Sequence, residues 1–442
     1  MLSVKDSTIH TIKKGLGGNN SYVSPDGRYI AYNKSQEENV PERDIFLYSI
    51  EEEKEIPLIE HPANEEVLGW SPDGRWILFQ SSRLDSDDAW IIPVSNGETQ
   101  GNPRLVKRGI EGIFSMGFSQ DGSFYFMSSK GMEDIYKASL NPKTGEIQNP
   151  PEKMDLPSEG SNDFPVYSPD GKNLAYIRGT LGSWLNRSTL HLRSLETGKE
   201  QVFPLRIRAL FPRWSPDERT ILISGITESR LTGIYRIDVQ TGDVKSVLLP
   251  KPSKKEEYRL SEWTLDGKSF FYIKGEKGKS TDLISKYNFE TDEKKKIHQT
   301  SHAYATLSLS PDGRWLAFIG RKLERELKII PADGGEPRVL CRFNQRGGAP
   351  ISLAWTPDSQ HILFFRKKGT DVLKEELCRV PVTGGELQEL GLSMVAPDHL
   401  RVHPNGHKIV FCSYGFSIPY PEFWVMENFL PKEKTNKKDK LR

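Results

Sequence analysis

The chain has 442 residues, with 61 Lys plus Arg against 60 Asp plus Glu and a net charge of +1. So even a balance gives no global field to hold nucleic acid or an anionic membrane, and no run of 18 apolar residues is present to cross a bilayer. The three cysteines, Cys341, Cys378 and Cys412, stand far apart without CxxC spacing, which fits buried free thiols and not a disulfide framework or zinc site.

In chain order, the opening MLSVKDSTIHTIKKG lacks the apolar core of a secretory leader, so a cytoplasmic chain is expected, or a periplasmic or secreted one if a leader has been removed. Within it, TIHTIKKG (8–15) reads as a strand. A repeat then begins: VSPDG at Asp26, WSPDG at Asp73, FSQDG at Asp121, YSPDG at Asp170, WSPDE at Asp217, WTLDG at Asp266, LSPDG at Asp312, WTPDS at Asp358 and VHPNG at Asn405. The intervals are 47, 48, 49, 47, 49, 46, 46 and 47 residues, so each copy is one structural unit with almost no insertion.

Each copy reads as strand, turn, strand. Proline presets the turn backbone, aspartate bonds nearby amides, and glycine suits the last position of the turn. The runs that follow, such as RWILF, NLAYI, SFFYI and HILFF, are continuously apolar, as in strands packed on both faces. A third strand follows in every copy, at 44–50, 89–94, 134–139, 189–194, 233–239, 283–289, 326–332, 376–382 and 422–428. Hairpin punctuation such as Asn96-Gly97, Thr241-Gly242 and Gly384-Gly385 then introduces a fourth, more polar strand.

Four antiparallel strands per unit make a propeller blade, and ring closure removes the exposed ends that a linear stack would leave. The expected fold is therefore all-β: a single closed β-propeller over residues 1–430, with nine blades favoured and eight as the alternative. The N-terminal strand at 8–15 is expected to close the last blade by pairing beside 422–428. The tail 431–442 is highly charged and reads as disordered.

The recurring SPDG[RK] turn, its apolar second strand and its IY-type third strand resemble the TolB-like (Pro-Asp, WD-like) β-propeller repeat over essentially the whole chain. The resemblance implies a bacterial binding or scaffold propeller. It also implies turn residues Asp26, Asp73, Asp121, Asp170, Asp217, Asp266, Asp312, Asp358 and Asn405 on one face, with the variable loops on the other.

Chemistry is sparse in the sequence. No GxSxG nucleophile elbow occurs, and the turn differs from the sialidase Asp box because glycine directly follows aspartate. His399 and His403 have metal-like spacing only on a helix, whereas this stretch reads as a strand. No metal, cofactor or catalytic residue is expected, and enzymatic activity is not the favoured reading. The binding candidates are the loop aromatics Trp184, Tyr414, Phe416 and Tyr420 and the channel-mouth arginines Arg208, Arg259 and Arg346. They point to a monomer that recognises a protein or peptide partner on its loop face and central channel. A small molecule or glycan in the channel, with hydrolytic or lyase activity, is the alternative.

Overall fold

The computed structural model describes residues 21–431 except 35–42, 85–86, 111–112, 129–133, 157–160, 180–187, 206, 228–230, 252–255, 277–278, 280, 302, 321–324, 344–349, 368–373 and 416–421. The strands of the first three copies are β1 (Ser21–Val23), β2 (Tyr29–Lys34), β3 (Asp44–Ser49), β4 (Lys54–Ile59); β5 (Glu65–Trp70), β6 (Trp76–Ser81), β7 (Asp88–Ser95), β8 (Glu98–Thr99), β9 (Arg104–Lys107); and β10 (Ile113–Phe118), β11 (Phe124–Ser128), β12 (Asp134–Ser139), β13 (Glu152–Lys153). The middle copies give β14 (Ser161–Tyr167), β15 (Asn173–Gly179), β16 (Thr189–Ser194), β17 (Glu200–Pro204); β18 (Arg208–Trp214), β19 (Thr220–Ile226), β20 (Thr232–Asp238), β21 (Val244–Leu248); and β22 (Glu256–Trp263), β23 (Ser269–Glu276), β24 (Thr281–Asn288), β25 (Lys294–Ser301). The last give β26 (Ala303–Leu309), β27 (Trp315–Gly320), β28 (Glu326–Pro331), β29 (Arg338–Arg342); β30 (Ala354–Trp355), β31 (His361–Lys367), β32 (Lys374–Pro381), β33 (Gln388–Val395); and β34 (Asp398–Val402), β35 (Lys408–Ser413), β36 (Glu422–Met426).

These strands form nine antiparallel sheets, mostly four-stranded, as the repeat requires. One exchange departs from it. The third copy's hairpin β10–β11 takes β36 as its third strand, while β12 and β13 cross to the ninth copy and extend β34–β35. The exchange is in full register, with Tyr136 opposite Phe411 and Phe126 opposite Trp424. The strand at 8–15 expected to pair beside 422–428 is a separate matter from this exchange, and residues 8–15 lie outside the described residues. The third and fourth positions of the ninth copy's sheet belong to β12 and β13. The physical reason for the exchange is that all third strands share one alternating pattern, so either hairpin can accept either strand.

The chain divides into two compact units. One contains β1–β11 and β36, and the other contains β12–β35. In the second unit, six apolar clusters join six sheets in cyclic order. Ile177 and Ile223 join the β14 and β18 sheets, Leu222 and Tyr272 the β18 and β22 sheets, and Phe271 and Phe318 the β22 and β26 sheets. Ile329 and Phe364 join the β26 and β30 sheets, Phe365 and Phe411 join β30 to the β34–β35–β12–β13 sheet, and Val410 with Tyr176 returns to β14. The nine sheets match the repeat count, and six of them follow one another in this cycle. The cycle explains the continuous apolar runs: successive residues such as Leu222 and Ile223 alternate across the strand and so serve opposite interfaces.

The first unit is a stack of three sheets. Ala31 and Leu47 pack on Phe79 and Ile92, and Leu78 and Ile91 on the other face of the middle sheet pack on Phe124, Phe126 and Met426.

The repeated turn is held by one bonding scheme in both units. Ser24 Oγ donates to Asp26 Oδ1 at 2.6 Å, the Arg28 amide donates to the same oxygen at 3.1 Å, and the Tyr29 amide donates to Ser24 Oγ at 2.9 Å. The hydroxyl-to-aspartate bond recurs at Asp73, Asp121, Asp170, Asp217, Asp266, Asp312 and Asp358. Where a tryptophan precedes the turn, it ties its sheet to the one before. Trp70, Trp214, Trp263 and Trp355 donate Nε1–H to the carbonyls of Tyr22, Val166, Arg213 and Ser308.

The turns that depart from the repeat make a different bond. Glu218 and Ser359 occupy the usual glycine position with φ of 60° and 59°. Their side chains accept the amides of Asp170 and Asp312 in the adjacent turns, at 2.7 and 3.1 Å. His403, which replaces the turn serine of the ninth copy, places Nε2 3.0 Å from the Gly171 carbonyl and packs on the Tyr167 ring. That contact seals the same seam as Val410 and Tyr176.

Candidate functional site: the inner strands of the six-sheet unit

The first strands β14, β18, β22, β26, β30 and β34 neighbour one another around the cycle, so they are its innermost elements and line its centre. Five of them, consecutive in the order β34, β14, β18, β22, β26, have a register shift part-way along the pairing with the second strand. At four of these shifts a bulky residue takes the left-handed backbone: His399 at φ 54°, Phe164 at 57°, Phe211 at 54° and Leu260 at 51°. A bulge re-aims its side chain, and bulky residues rarely accept this conformation unless the surroundings impose it.

Here the bulges bring rings together. Phe164 lies 4.0 Å from His399 and 4.8 Å from Phe211, centroid to centroid, and Phe211 lies 5.7 Å from His399. Three neighbouring inner strands thus present one aromatic cluster, half-buried rather than sunk in the core. His399 also approaches Asp398, with Nε2 3.4 Å from Oδ2.

Charged groups lie on the same strands and on β32. Arg208 opens β18 and is exposed. Arg259 in β22 is committed to two carboxylates, Glu257 and the buried Asp282, the latter at 2.7 Å. Arg213 and Glu262, on neighbouring inner strands, pair at 2.7 Å; burial nevertheless pushes the Glu262 carboxyl up against the pull of that guanidinium. Ser161 Oγ donates to Asp163 Oδ2 at 2.9 Å, one residue before the Phe164 bulge. At the start of β32, burial pushes Glu375 up to about 7, with Lys367 opposing and Asp398 reinforcing the shift.

The sequence candidates fall unevenly on this geometry. Arg208 and Arg259 sit on adjacent inner strands, and Tyr414 follows the end of β35, half-buried, with its amide 3.4 Å from the Val395 carbonyl. Trp184, Arg346, Phe416 and Tyr420 lie outside the described residues. Sequence reasoning missed Phe164, Phe211 and His399. Their bulges leave no local signature, and the spacing that links His399 to His403 in the sequence misleads, because His403 serves the turn face. Among the described residues no group of three His, Cys, Asp or Glu side chains is placed to hold a metal, and no helix is long and apolar enough to cross a membrane.

A cavity of about 120 Å³ opens among Pro142, Gly145, Asp358, Arg379 and Asn405. Arg379 is already spent within it, donating to Gln388 Oε1 at 2.8 Å and to the Lys143 carbonyl at 3.1 Å. The bond to Lys143, with that from Gln388 Nε2 to the Thr144 carbonyl at 3.3 Å, ties the β12–β13 hairpin turn to β32–β33, so the cavity belongs to the seam made by the exchanged strands.

With the inner strands in place, the comparisons with known proteins bear on what the unit is. A family model described as the TolB beta propeller domain (PD40) matches residues 158–393, just over half of the chain. The chain belongs to the TolB β-propeller family. The match lies within the six-sheet unit, from β14 through most of β33.

Among curated relatives, Dipeptidyl-peptidase 5 of Porphyromonas gingivalis is 22% identical over 91% of this chain, and YuxL of Bacillus subtilis, named a peptidase, is 24% identical over 45%. The chain spans 62% and 28% of the length of these two relatives. Among solved structures, TolB from Acinetobacter baumannii aligns over 93% of this chain and 88% of its own, at 16% identity and a TM-score of 0.44.

Proposed function

We propose that this TolB-family propeller is a non-enzymatic binding platform that takes an extended peptide, or an exposed segment of a protein, at the centre of the six-sheet unit. The observation that carries this reading is the Phe164–Phe211–His399 cluster. It rests on inner strands held in backbone conformations that bulky residues otherwise avoid, and backbone strain of this kind concentrates at ligand sites. An aromatic cluster bordered by Arg208, Asp398 and Glu375 suits a partner with one apolar side chain and polar backbone around it, because aromatic anchors supply contact area while flanking charges set orientation.

The test is selection of a random decapeptide library on the purified full chain, followed by calorimetric titration of enriched peptides. Binding in the micromolar range is expected. It should weaken at least tenfold in His399→Ala and in Arg208→Glu, with unfolding midpoints close to wild type for Arg208→Glu because that side chain is exposed. A library that yields no binder, or binders indifferent to both substitutions, would refute the reading.

A further inference from the structure

Among the described residues, the three-sheet unit ends in the largest concentration of exposed apolar side chains on any one sheet. One side of the β10–β11–β36 sheet packs its Phe124, Phe126 and Met426 on the middle sheet. The opposite side leaves Phe114 59%, Met116 60%, Tyr125 44%, Phe423 71% and Val425 43% exposed. Register makes these residues contiguous. Tyr125 lies opposite Val425, and Met127 lies between Phe423 on one neighbour and Phe114 on the other. No charge interrupts them: the sole charged residue of the three strands, Glu422, alternates with Phe423 onto the inner side, where it accepts the Trp424 indole N–H at 3.0 Å.

We propose that this face is the docking surface for a second copy of the chain, packed sheet on sheet about a two-fold axis. Three features select that occupant. First, FYFMS has the composition of a strand meant to be covered on both sides, like the second strands of the six-sheet unit, so what fits it is another sheet face of the same kind. Second, two identical uncharged faces meet without burying an unpaired charge, whereas a charged partner would find nothing to pair with. Third, taking about 150–250 Å² for a whole aromatic side chain, the exposed fractions leave roughly 500 Å² of apolar area per copy. Two copies would bury roughly 1,000 Å², which reaches the lower bound for a specific interface and lies beyond most incidental contacts. The inference does not rest on the peptide reading, since it uses the other unit and none of its residues.

Sedimentation equilibrium of the full chain between about 1 and 100 μM tests it. A reversible monomer–dimer equilibrium is expected, with a dissociation constant in the micromolar range. Phe423→Glu and Phe114→Glu should each weaken it at least tenfold, whereas Leu105→Glu, an exposed position on β9 away from this face, should not. Phe423→Ser guards against misfolding of the charged variants and should weaken association at an unchanged unfolding midpoint. A second readout is hydrogen exchange: amides of 422–426 should become slower to exchange as concentration rises. The proposal is overturned if the wild type stays monomeric throughout, or if a dimer forms that both Phe423 variants and Phe114→Glu leave intact. Loss of the dimer with peptide binding preserved would separate the two sites.

Discussion

The two units are made from one repeat and finish differently. In the six-sheet unit every sheet has a neighbour on both faces, and six apolar clusters run round the cycle without a break. In the three-sheet unit two clusters join the sheets, and among the described residues one face of the β10–β11–β36 sheet is apolar and exposed. The repeat specifies a sheet with two apolar faces; it does not specify how many such sheets close a cycle. That number is set by the exchange of β12 and β36, because β12 and β13 complete the sheet that joins β30 to β14.

The sharpest way to break this comparison is a matched pair of phenylalanine truncations. Phe411 is fully buried between the rings of Tyr136, at 6.1 Å, and Phe365, at 5.2 Å, on the exchanged sheet. Phe411→Ala should cost about 3–5 kcal/mol in urea unfolding, the usual range for a cavity left by a core phenylalanine. Phe423→Ala, on the uncovered face, should stay within about 0.5 kcal/mol when measured well below the dimer range. Equal effects would mean that the uncovered face is covered in solution even in the monomer.

Acid should separate the units next. The eight turn aspartates all have carboxyls held below the ordinary value of 3.8. At Asp26, Asp121, Asp170, Asp217 and Asp266 the chief cause is the donated serine or threonine hydroxyl. A depressed folded value means that the unfolded chain binds protons first. The stabilisation is therefore fully present above the unfolded value and is lost as pH falls through the folded values, below 3.8. Five of these aspartates, from Asp170 to Asp358, lie in the six-sheet unit and three in the stack, while Asn405 does not titrate. Circular dichroism melts between pH 5 and 2.5 should show a larger loss for the transition that Phe411→Ala identifies. Asp170→Asn, which removes the titrating group, should flatten that transition's pH dependence.

Much of the fold was legible because it is written nine times. The third strands were placed within two residues of their observed limits, from Asp44–Ser49 to Glu422–Met426, because apolar alternation and turn chemistry are local properties. Strand partnership was not legible. DIYKAS and EFWVM carry the same alternation, and only the cores they enter distinguish them: Ile135 beside Tyr176 and Val410, Met426 beside Phe124 and Phe126. The candidate site was half legible. Exposed Arg208 followed from its place before an inner strand, but the Phe164, Phe211 and His399 cluster depends on bulges, which arise from pairing across strands and leave no residue pattern behind.

The smallest effect tests the finest difference within the repeat, the glycine replaced by Glu218. Two terms oppose each other there. The left-handed backbone is costly for glutamate and free for glycine, by roughly 1 kcal/mol, and the Glu218 side chain repays it by accepting the Asp170 amide of the adjacent turn. A hydrogen bond to a charged acceptor contributes about 1–2 kcal/mol when partly exposed. Glu218→Gly relieves the strain and loses the bond, so its net effect should lie within about 0.5 kcal/mol of zero. Glu218→Ala loses the bond and keeps the strain, so it should destabilise by about 1 kcal/mol more than the glycine variant. If the two variants unfold at the same denaturant concentration, the backbone at this turn carries no strain and the glutamate is there only for its bond. If glycine is instead clearly stabilising, the bond to Asp170 contributes nothing and the six-sheet unit gains no cross-turn support at this position.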